Sequence, residues 1–200
     1  YGSLFATLER NEIAYNRASH EGGGIRMYAN NVGRVIATLI DNTFANNVAG
    51  EFGGGVHAYS GSGLMNVTVR GGTLRDNRAT CGGGMSFYGI PSYESTSWNQ
   101  VVTISDSVFL RNLAPPNPAG CAVKDYTANG GGGIFTYGSS PQIINSQFIA
   151  NISDVSGGAL AHWFGSSPTV VNGLFVGNSA YATSADRGGG AIFSDFYGAP

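Results

Sequence analysis

Apolar and polar residues alternate in short segments along the whole chain. The apolar spacing of an amphipathic helix, at i, i+3, i+4 and i+7, is not sustained in any segment. Turn-forming Gly, Asn, Asp and Ser residues interrupt the alternation every few positions. Because an alternation with period two is typical of β-strands, the pattern predicts an all-β fold built from short strands.

A cluster of glycines followed by an apolar residue recurs six times. The copies are GGGI (Gly22 to Ile25), GGGV (Gly53 to Val56), GGGM (Gly82 to Met85), GGGGI (Gly130 to Ile134), GGA (Gly157 to Ala159) and GGGA (Gly188 to Ala191). Glycine accepts a positive φ and allows two backbones to approach closely. We therefore expect each cluster to form a tight corner rather than a phosphate-binding loop, whose Gly-Lys-Ser/Thr signature is missing.

An asparagine preceded three positions earlier by an apolar residue recurs in phase with the glycines. These residues are Asn16, Asn47, Asn77, Asn112, Asn151 and Asn178, spaced 27 to 39 residues apart. The two longest stretches between landmarks, Ile90 to Gln100 and Pro115 to Asn129, lie where a repeat protein carries its loops. Short strands with a repeat near 30 residues and no crossover helix predict a parallel β-helix of about six coils, each adding about 4.8 Å.

The pairing of GG[AVLI] with FxxN resembles the repeat of the chlamydial polymorphic outer-membrane proteins. More broadly, it is similar to the repeats of right-handed, pectin-lyase-like β-helix proteins, and it covers nearly the whole chain. The resemblance implies a right-handed parallel β-helix. We expect residues 1–200 to form a single domain that is a segment of a longer solenoid, because neither end of the repeat array has an evident cap. That fold carries polysaccharide lyases and hydrolases, phage tailspikes, adhesins and structural proteins, so the resemblance does not fix a function.

Composition excludes some partners. The net charge is -2, only 11% of residues are charged and Lys124 is the single lysine, which gives no basic surface for nucleic acid. No apolar run approaches the roughly 18 residues of a membrane-spanning helix. The sequence therefore predicts neither a nucleic-acid partner nor a membrane span.

The repeated asparagines could present carboxamides to a sugar or could serve the architecture. Asn tolerates left-handed backbone and can bond to backbone groups at a corner. Stacked identical amides also bond to one another along a cross-strand ladder. We expect the six asparagines to form a structural ladder.

Two cysteines and two glycosylation sequons bear on the compartment. Cys81 and Cys121 precede glycine clusters of consecutive repeats, so a disulfide between them is one interpretation and two free thiols the other. The sequons begin at Asn66 and Asn151. Because Asn151 belongs to the ladder, Asn66 is the expected glycan acceptor.

An aromatic residue follows each glycine cluster. Four of them, Tyr28, Tyr59, Tyr88 and Tyr137, lie four residues after the last glycine, and Phe164 and Tyr197 take the matching position after a short extension. If the first residue after the glycines points inward, the alternation directs these rings outward. Two interpretations stay open. The rings form an exposed face that binds a ligand or partner, or they are buried beneath the two long stretches Ile90 to Gln100 and Pro115 to Asn129, which we call the insertions.

Catalytic and metal sites have weak support. The acidic residues are dispersed, and only Asp41 and Asp106 share a repeat position, two coils and therefore about 10 Å apart. Inverting glycosidases place their acids at such a separation, but a role in turns explains both residues. His20, His57 and His162 lack metal-ligand spacing and are expected at the surface. No metal or cofactor is predicted.

The sequence thus favours a non-catalytic structural rod, such as a stalk, adhesin or filament component, outside the cell or at its surface. Its partners would be other coils or subunits stacked end to end, and also carbohydrate or cell-surface proteins. A carbohydrate-binding module that uses the aromatic face is one alternative, and a polysaccharide lyase or hydrolase is another.

Overall fold

A parallel β-solenoid of about five turns is the architecture of the computed structural model. The structure describes residues 2–30, 33–89, 100–116, 121–123, 126–182 and 187–195, and within these ranges it contains no helix. The predictions of an all-β fold and of a parallel β-helix are confirmed. The turn count lies close to the six expected coils.

Three six-stranded sheets form the walls of the solenoid, and all their pairings are parallel. The first sheet contains β1 (Ser3–Glu9), β5 (Arg34–Ile40), β9 (Leu64–Arg70), β12 (Gln100–Ser105), β18 (Gln142–Ile144) and β22 (Thr169–Val171). The second sheet contains β2 (Glu12–Ala14), β6 (Thr43–Ala45), β10 (Thr73–Arg75), β13 (Val108–Leu110), β19 (Gln147–Ile149) and β23 (Leu174–Val176). The glycine sheet, named for the clusters that precede its strands, contains β4 (Ile25–Ala29), β8 (Val56–Ser60), β11 (Met85–Gly89), β17 (Ile134–Tyr137), β21 (Leu160–Trp163) and β25 (Ile192–Ser194).

Shorter strands complete the coils between the second sheet and the glycine sheet. They are β3 (Arg17–Ala18), β7 (Val48–Ala49), β14 (Leu113–Ala114), β20 (Ile152–Ser153) and β24 (Ser179–Ala180). The later of the two insertions contains an antiparallel pair, β15 (Cys121–Val123) and β16 (Tyr126–Ala128). This pair is outside the repeat pattern.

The core lies inside the tube, where equivalent residues of successive coils stack on one another. In the second sheet, Phe44, Leu74, Phe109, Phe148 and Phe175 occupy one column. The Phe109 and Phe148 rings are nearly parallel with centroids 4.8 Å apart. Because the strands pair in strict register, equivalent residues of successive coils stack on one another, and one apolar position in the repeat produces a continuous apolar column.

Each corner beside the second sheet turns on one residue with left-handed backbone. Asp76 has φ 56° and Arg111 has φ 50°, and each directly precedes a ladder asparagine. The ladder asparagines themselves do not adopt this conformation, although asparagine tolerates it. The left-handed residue bends the chain from one wall to the next, and the asparagine that follows it is buried.

The glycine clusters form the corner that precedes the glycine sheet, as predicted. Gly53 has φ 60°, and a Cβ on Gly54 would lie 2.3 Å from the carbonyl oxygen of Gly83 in the next coil. The clusters therefore supply both a left-handed turn and close contact between backbones, and a larger residue would separate the coils.

Candidate functional site

The six repeated asparagines form one hydrogen-bonded ladder through the solenoid, here called the Asn ladder. The side-chain oxygen of Asn112 accepts from the backbone N–H of Asn77 at 3.1 Å and from its Nδ2 at 3.0 Å. Asn151 accepts in the same way from Asn112, and the same pair of bonds links every consecutive rung from Asn16 to Asn178.

The remaining amide hydrogen of each inner rung ties the ladder to the previous coil. Nδ2 of Asn112 donates to the Leu74 carbonyl at 2.9 Å, and Nδ2 of Asn151 donates to the Phe109 carbonyl at 2.9 Å. Asn47, Asn77, Asn112 and Asn151 are fully buried. Since burying an amide without partners costs about 1–3 kcal/mol, their hydrogen bonds maintain the wall, and their carboxamides are not presented to a ligand.

A second polar ladder occupies the corner between the first and second sheets. Nδ2 of Asn11 donates to Oδ1 of Asn42 at 3.0 Å, and two coils further the backbone N–H of Ser107 donates to Oγ of Ser146 at 3.3 Å. Gly72 occupies the intervening coil, where Ser107 Oγ instead bonds the Gly71 carbonyl at 3.0 Å. The sequence marked these positions only as turns, because mixed Asn, Gly and Ser residues leave no single-letter repeat to detect.

The aromatic set forms a continuous stack along the outside of the glycine sheet. Ring centroids lie 4.9 Å apart for Tyr28 and Tyr59, 5.3 Å for Tyr59 and Tyr88, 4.8 Å for Tyr88 and Tyr137, and 4.9 Å for Tyr137 and Phe164. Adjacent planes differ by 17° or less. Trp163 is the strand partner of Tyr137, but Phe164, with φ 50°, supplies the stacked ring. Tyr197 lies outside the described residues.

The exposure of this stack differs from one end to the other. Tyr28 is 46% exposed, whereas Tyr88 and Tyr137 are only 7% and 6% exposed. Of the two interpretations that the sequence leaves open, burial is therefore correct for these two residues. Stacking also occupies ring faces, and the Arg26 guanidinium covers Tyr28 at 4.8 Å from the ring centroid. Sugars pack on free aromatic faces, so the stack offers them mainly ring edges.

A second hydrophobic cluster explains the burial, and we call it the outer cluster because it lies outside the tube. Its buried members are Phe52, Cys81, Tyr88, Cys121, Phe135, Tyr137, Ala161 and Trp163. The Phe52 ring lies 5.9 Å from Tyr88 and 6.1 Å from Phe135, centroid to centroid. The described residues thus form two separate cores, one inside the tube and one against an outer wall.

The two cysteines join the insertion to this cluster. Cys81 and Cys121 form a disulfide across 40 residues of sequence, with Cα atoms 6.2 Å apart and both residues fully buried. Cys121 Sγ also lies 3.4 Å from the Glu51 carbonyl. The disulfide therefore fixes the start of β15 over the corner that carries Phe52.

His57 lies in the same outer layer, although a surface position was expected. Its Nδ1 is 2.7 Å from Ser86 Oγ, its Nε2 is 3.8 Å from Glu21 Oε2, and its ring stacks on Phe52 at 5.3 Å. Burial, followed by the charge of Arg26, lowers the His57 pKa from 6.5 to about 3, so the imidazole is neutral at physiological pH.

The sequence of contacts from Ser86 through His57 to Glu21 has the order of a charge relay, but its environment does not support nucleophilic chemistry. Ser86 is fully buried. Glu21 is engaged by Arg26 at 2.6 Å and is beyond hydrogen-bond distance of His57. A nucleophile must reach its substrate, so we assign these contacts a structural role.

His162 is also buried, and here too the surface prediction was wrong. Its Nδ1 lies 3.2 Å from Thr136 Oγ1 in the neighbouring coil, and burial lowers its pKa from 6.5 to about 4. His20 is the exposed histidine, with Nδ1 3.2 Å from Glu51 Oε1.

The two acids considered for catalysis occupy corners. Asp106 has φ 53° and accepts a hydrogen bond from Asn145 Nδ2 at 3.3 Å, while Asp41 has φ 51° and lies against Gly71. Asp76 forms a two-bond ion pair with Arg111 at 2.8 and 3.0 Å, and this contact lowers the Asp76 pKa. Corner geometry and surface pairing account for all three carboxylates.

Within the described part of the chain, no three His, Cys, Asp or Glu side chains cluster closely enough to hold a metal ion. No helix there has the length and apolarity to cross a membrane.

The two glycosylation sequons have different surroundings. Asn66 lies on β9 with its side chain exposed, and Thr68 points to the same side. Asn151 is fully buried, and its Nδ2 donates to both Phe109 and Asn178. A glycan on Asn151 would replace one of these bonds, so only Asn66 can carry a glycan in the folded protein.

Comparison of the chain with protein-family models, with curated proteins and with solved structures found no match.

Proposed function

We propose that this protein is a non-catalytic structural rod that works outside the cell or at its surface. The observation that carries the proposal is the unbroken Asn ladder, which links successive coils through hydrogen bonds between side-chain amides that are buried in the inner coils. A chain of such bonds in a low-dielectric interior resists separation of the coils. The disulfide supports an oxidising compartment.

The proposed partner is another stack of coils, bound end to end. Along the Asn ladder each rung donates to the rung that follows it in the chain, so donors of Asn178 complement the side-chain oxygen of Asn16. Most exposed large apolar side chains also lie on the first and last coils, among them Leu4 and Phe5 at one end and Leu174 and Ile192 at the other. Both features fit a parallel strand added in register.

Register-specific cross-linking tests this end-to-end contact. Val171 and Glu9 belong to the same column of the first sheet, so in a stack Val171 of one copy adjoins Glu9 of the next. The double variant Val171→Cys/Glu9→Cys should form a series of disulfide-linked oligomers under oxidation. Val171→Cys paired with Glu12→Cys, which lies in the second sheet, is the matched control. Equal cross-linking of both variants would reject the stacking partner.

The mechanical role has a separate test. Pulling the chain from its two ends with optical tweezers should unravel it one coil at a time, because each coil bonds only to its neighbours. The Cys81–Cys121 disulfide should keep the residues between its two cysteines from extending unless it is reduced. Turnover of a uronate polymer by the purified protein, abolished by Asp106→Asn, would instead establish an enzyme and reject the proposal.

A further inference from the structure

The side wall of the solenoid has an apolar patch beside the exposed sequon. Among the described residues, Leu64 and Val101, at 53% and 61% exposure, are the large apolar side chains most exposed to solvent away from the two end coils. Val101 is the strand partner of Asn66, and Leu64 precedes Asn66 by two residues on the same face of β9. The patch and the sequon therefore share one surface.

We propose that Asn66 is an N-linked glycosylation site whose first sugars cover Leu64 and Val101. An exposed apolar patch on a sheet wall favours association, and a glycan is bulky and solubilising. The sheet directs the Asn66 and Thr68 side chains outward together, and Ile36 on the preceding coil is only partly buried beneath them. Apolar side chains, Ile36 on one side and Val101 on the other, thus flank the point at which the sugar is attached.

The reaction uses a lipid-linked oligosaccharide as donor. A bond forms between Nδ2 of Asn66 and C1 of the reducing-end sugar, while the bond from C1 to the pyrophosphate oxygen breaks. The amide loses one proton, and the lipid pyrophosphate leaves. No residue of this chain needs to act as a catalyst, since the transferase supplies the chemistry.

Occupancy is tested by secreting the chain, behind a signal sequence, from a eukaryotic host. Peptide mass spectrometry should find a glycan on Asn66, and the gel mobility shift removed by an amidase that cleaves N-glycans should be lost completely in Asn66→Gln and in Thr68→Ala. A secreted protein with Asn66 unoccupied overturns the site. The shift is compared in the secreted fraction, because a glycan on Asn151 would break the Asn ladder. For a variant that is not secreted, peptide mass spectrometry of the retained fraction reads positions 66 and 151 separately.

The covering role has its own readout. Enzymatic removal of the glycan should increase binding of a hydrophobic fluorescent dye to the wild-type chain. The matched variant Leu64→Thr/Val101→Gln keeps the Asn66 sequon, creates no new one and removes the patch, so its dye binding should not change on deglycosylation. An equal increase in both proteins, or an increase in neither, would show that the glycan does not shield this patch.

Discussion

The interior of the solenoid and the outer cluster are both buried and apolar, but they are assembled differently. Inside, each coil contributes an equivalent residue to every column, as Phe109 and Phe148 do. Outside, Phe52 and Cys121 come from one corner and one insertion, and the residues paired with Phe52 in the neighbouring coils are Glu21 and Cys81 rather than aromatics. The repeat pattern thus determines the interior, whereas the outer cluster depends on single residues such as Phe52 and Cys121 that do not follow the repeat.

The largest effect is expected from breaking the inner wall. Asn112→Ala leaves the two Asn77 donors without their acceptor and removes both donations from Nδ2. Two or more unpaired buried groups should lower the free energy of unfolding by about 4 kcal/mol. Urea unfolding followed by far-UV circular dichroism measures the loss. The exposed corner variant Asn145→Gly should lose no more than about 1 kcal/mol, and equal losses would contradict the special role of the ladder.

Removing the disulfide should affect the outer cluster first. The double variant Cys81→Ser/Cys121→Ser releases a closed loop spanning 40 residues, for which chain entropy gives about 3–4 kcal/mol. In a Trp98→Phe background, emission from Trp163 reports on the outer cluster while circular dichroism reports on the sheets. The emission change should precede the loss of sheet signal in urea. Coincident transitions would show that the two cores unfold as one.

Within the aromatic stack, truncation should cost more at the buried rings than at the exposed end. Tyr88→Ala removes a ring that contacts Tyr59, Tyr137 and Phe52, so we expect a loss of about 3 kcal/mol. Tyr28→Ala, at 46% exposure, should lose about 1 kcal/mol or less. Denaturant midpoints of the two variants make the comparison. A larger loss from Tyr28→Ala would show that its exposed end is buried in solution, for instance by self-association.

Acid should weaken both cores through their buried histidines. His57 and His162 have folded pKa values of about 3 and 4, below the 6.5 of an unfolded histidine. Below pH 6.5 the unfolded chain binds protons that the folded chain excludes, so stability present above pH 6.5 is lost as the pH falls toward 4 and then 3. Each histidine should remove on the order of 2 kcal/mol between pH 7.5 and 5.

Glutamine variants separate the two contributions, with urea unfolding at both pH values as the measurement. His162→Gln should reduce the pH dependence seen by circular dichroism, and His57→Gln should reduce that of Trp163 emission. If each variant alters both signals equally, the two histidines titrate against a single cooperative unit.

The features that could be predicted from the sequence are those in which the same residue type occupies the same position of successive coils. Such a position appears in the sequence as a periodic residue, which is how the Asn ladder, the glycine corners and the short strands could be recognised. The second polar ladder escaped because Asn42, Gly72 and Ser107 meet the same corner requirement with different chemistry. The burial of Tyr88 and His57 escaped because it depends on Phe52, which occurs at one corner only.

The direction of the Asn ladder bears on how the protein folds. The backbone N–H and Nδ2 of each rung donate to the asparagine of the next coil along the chain. Each coil that forms therefore presents two N–H donors that the next asparagine oxygen can accept from. The next contact lies only one repeat further along the chain, which keeps the loop to be closed short. Folding can therefore advance like a zipper from the first coil to the last, with each completed coil acting as the template for its successor.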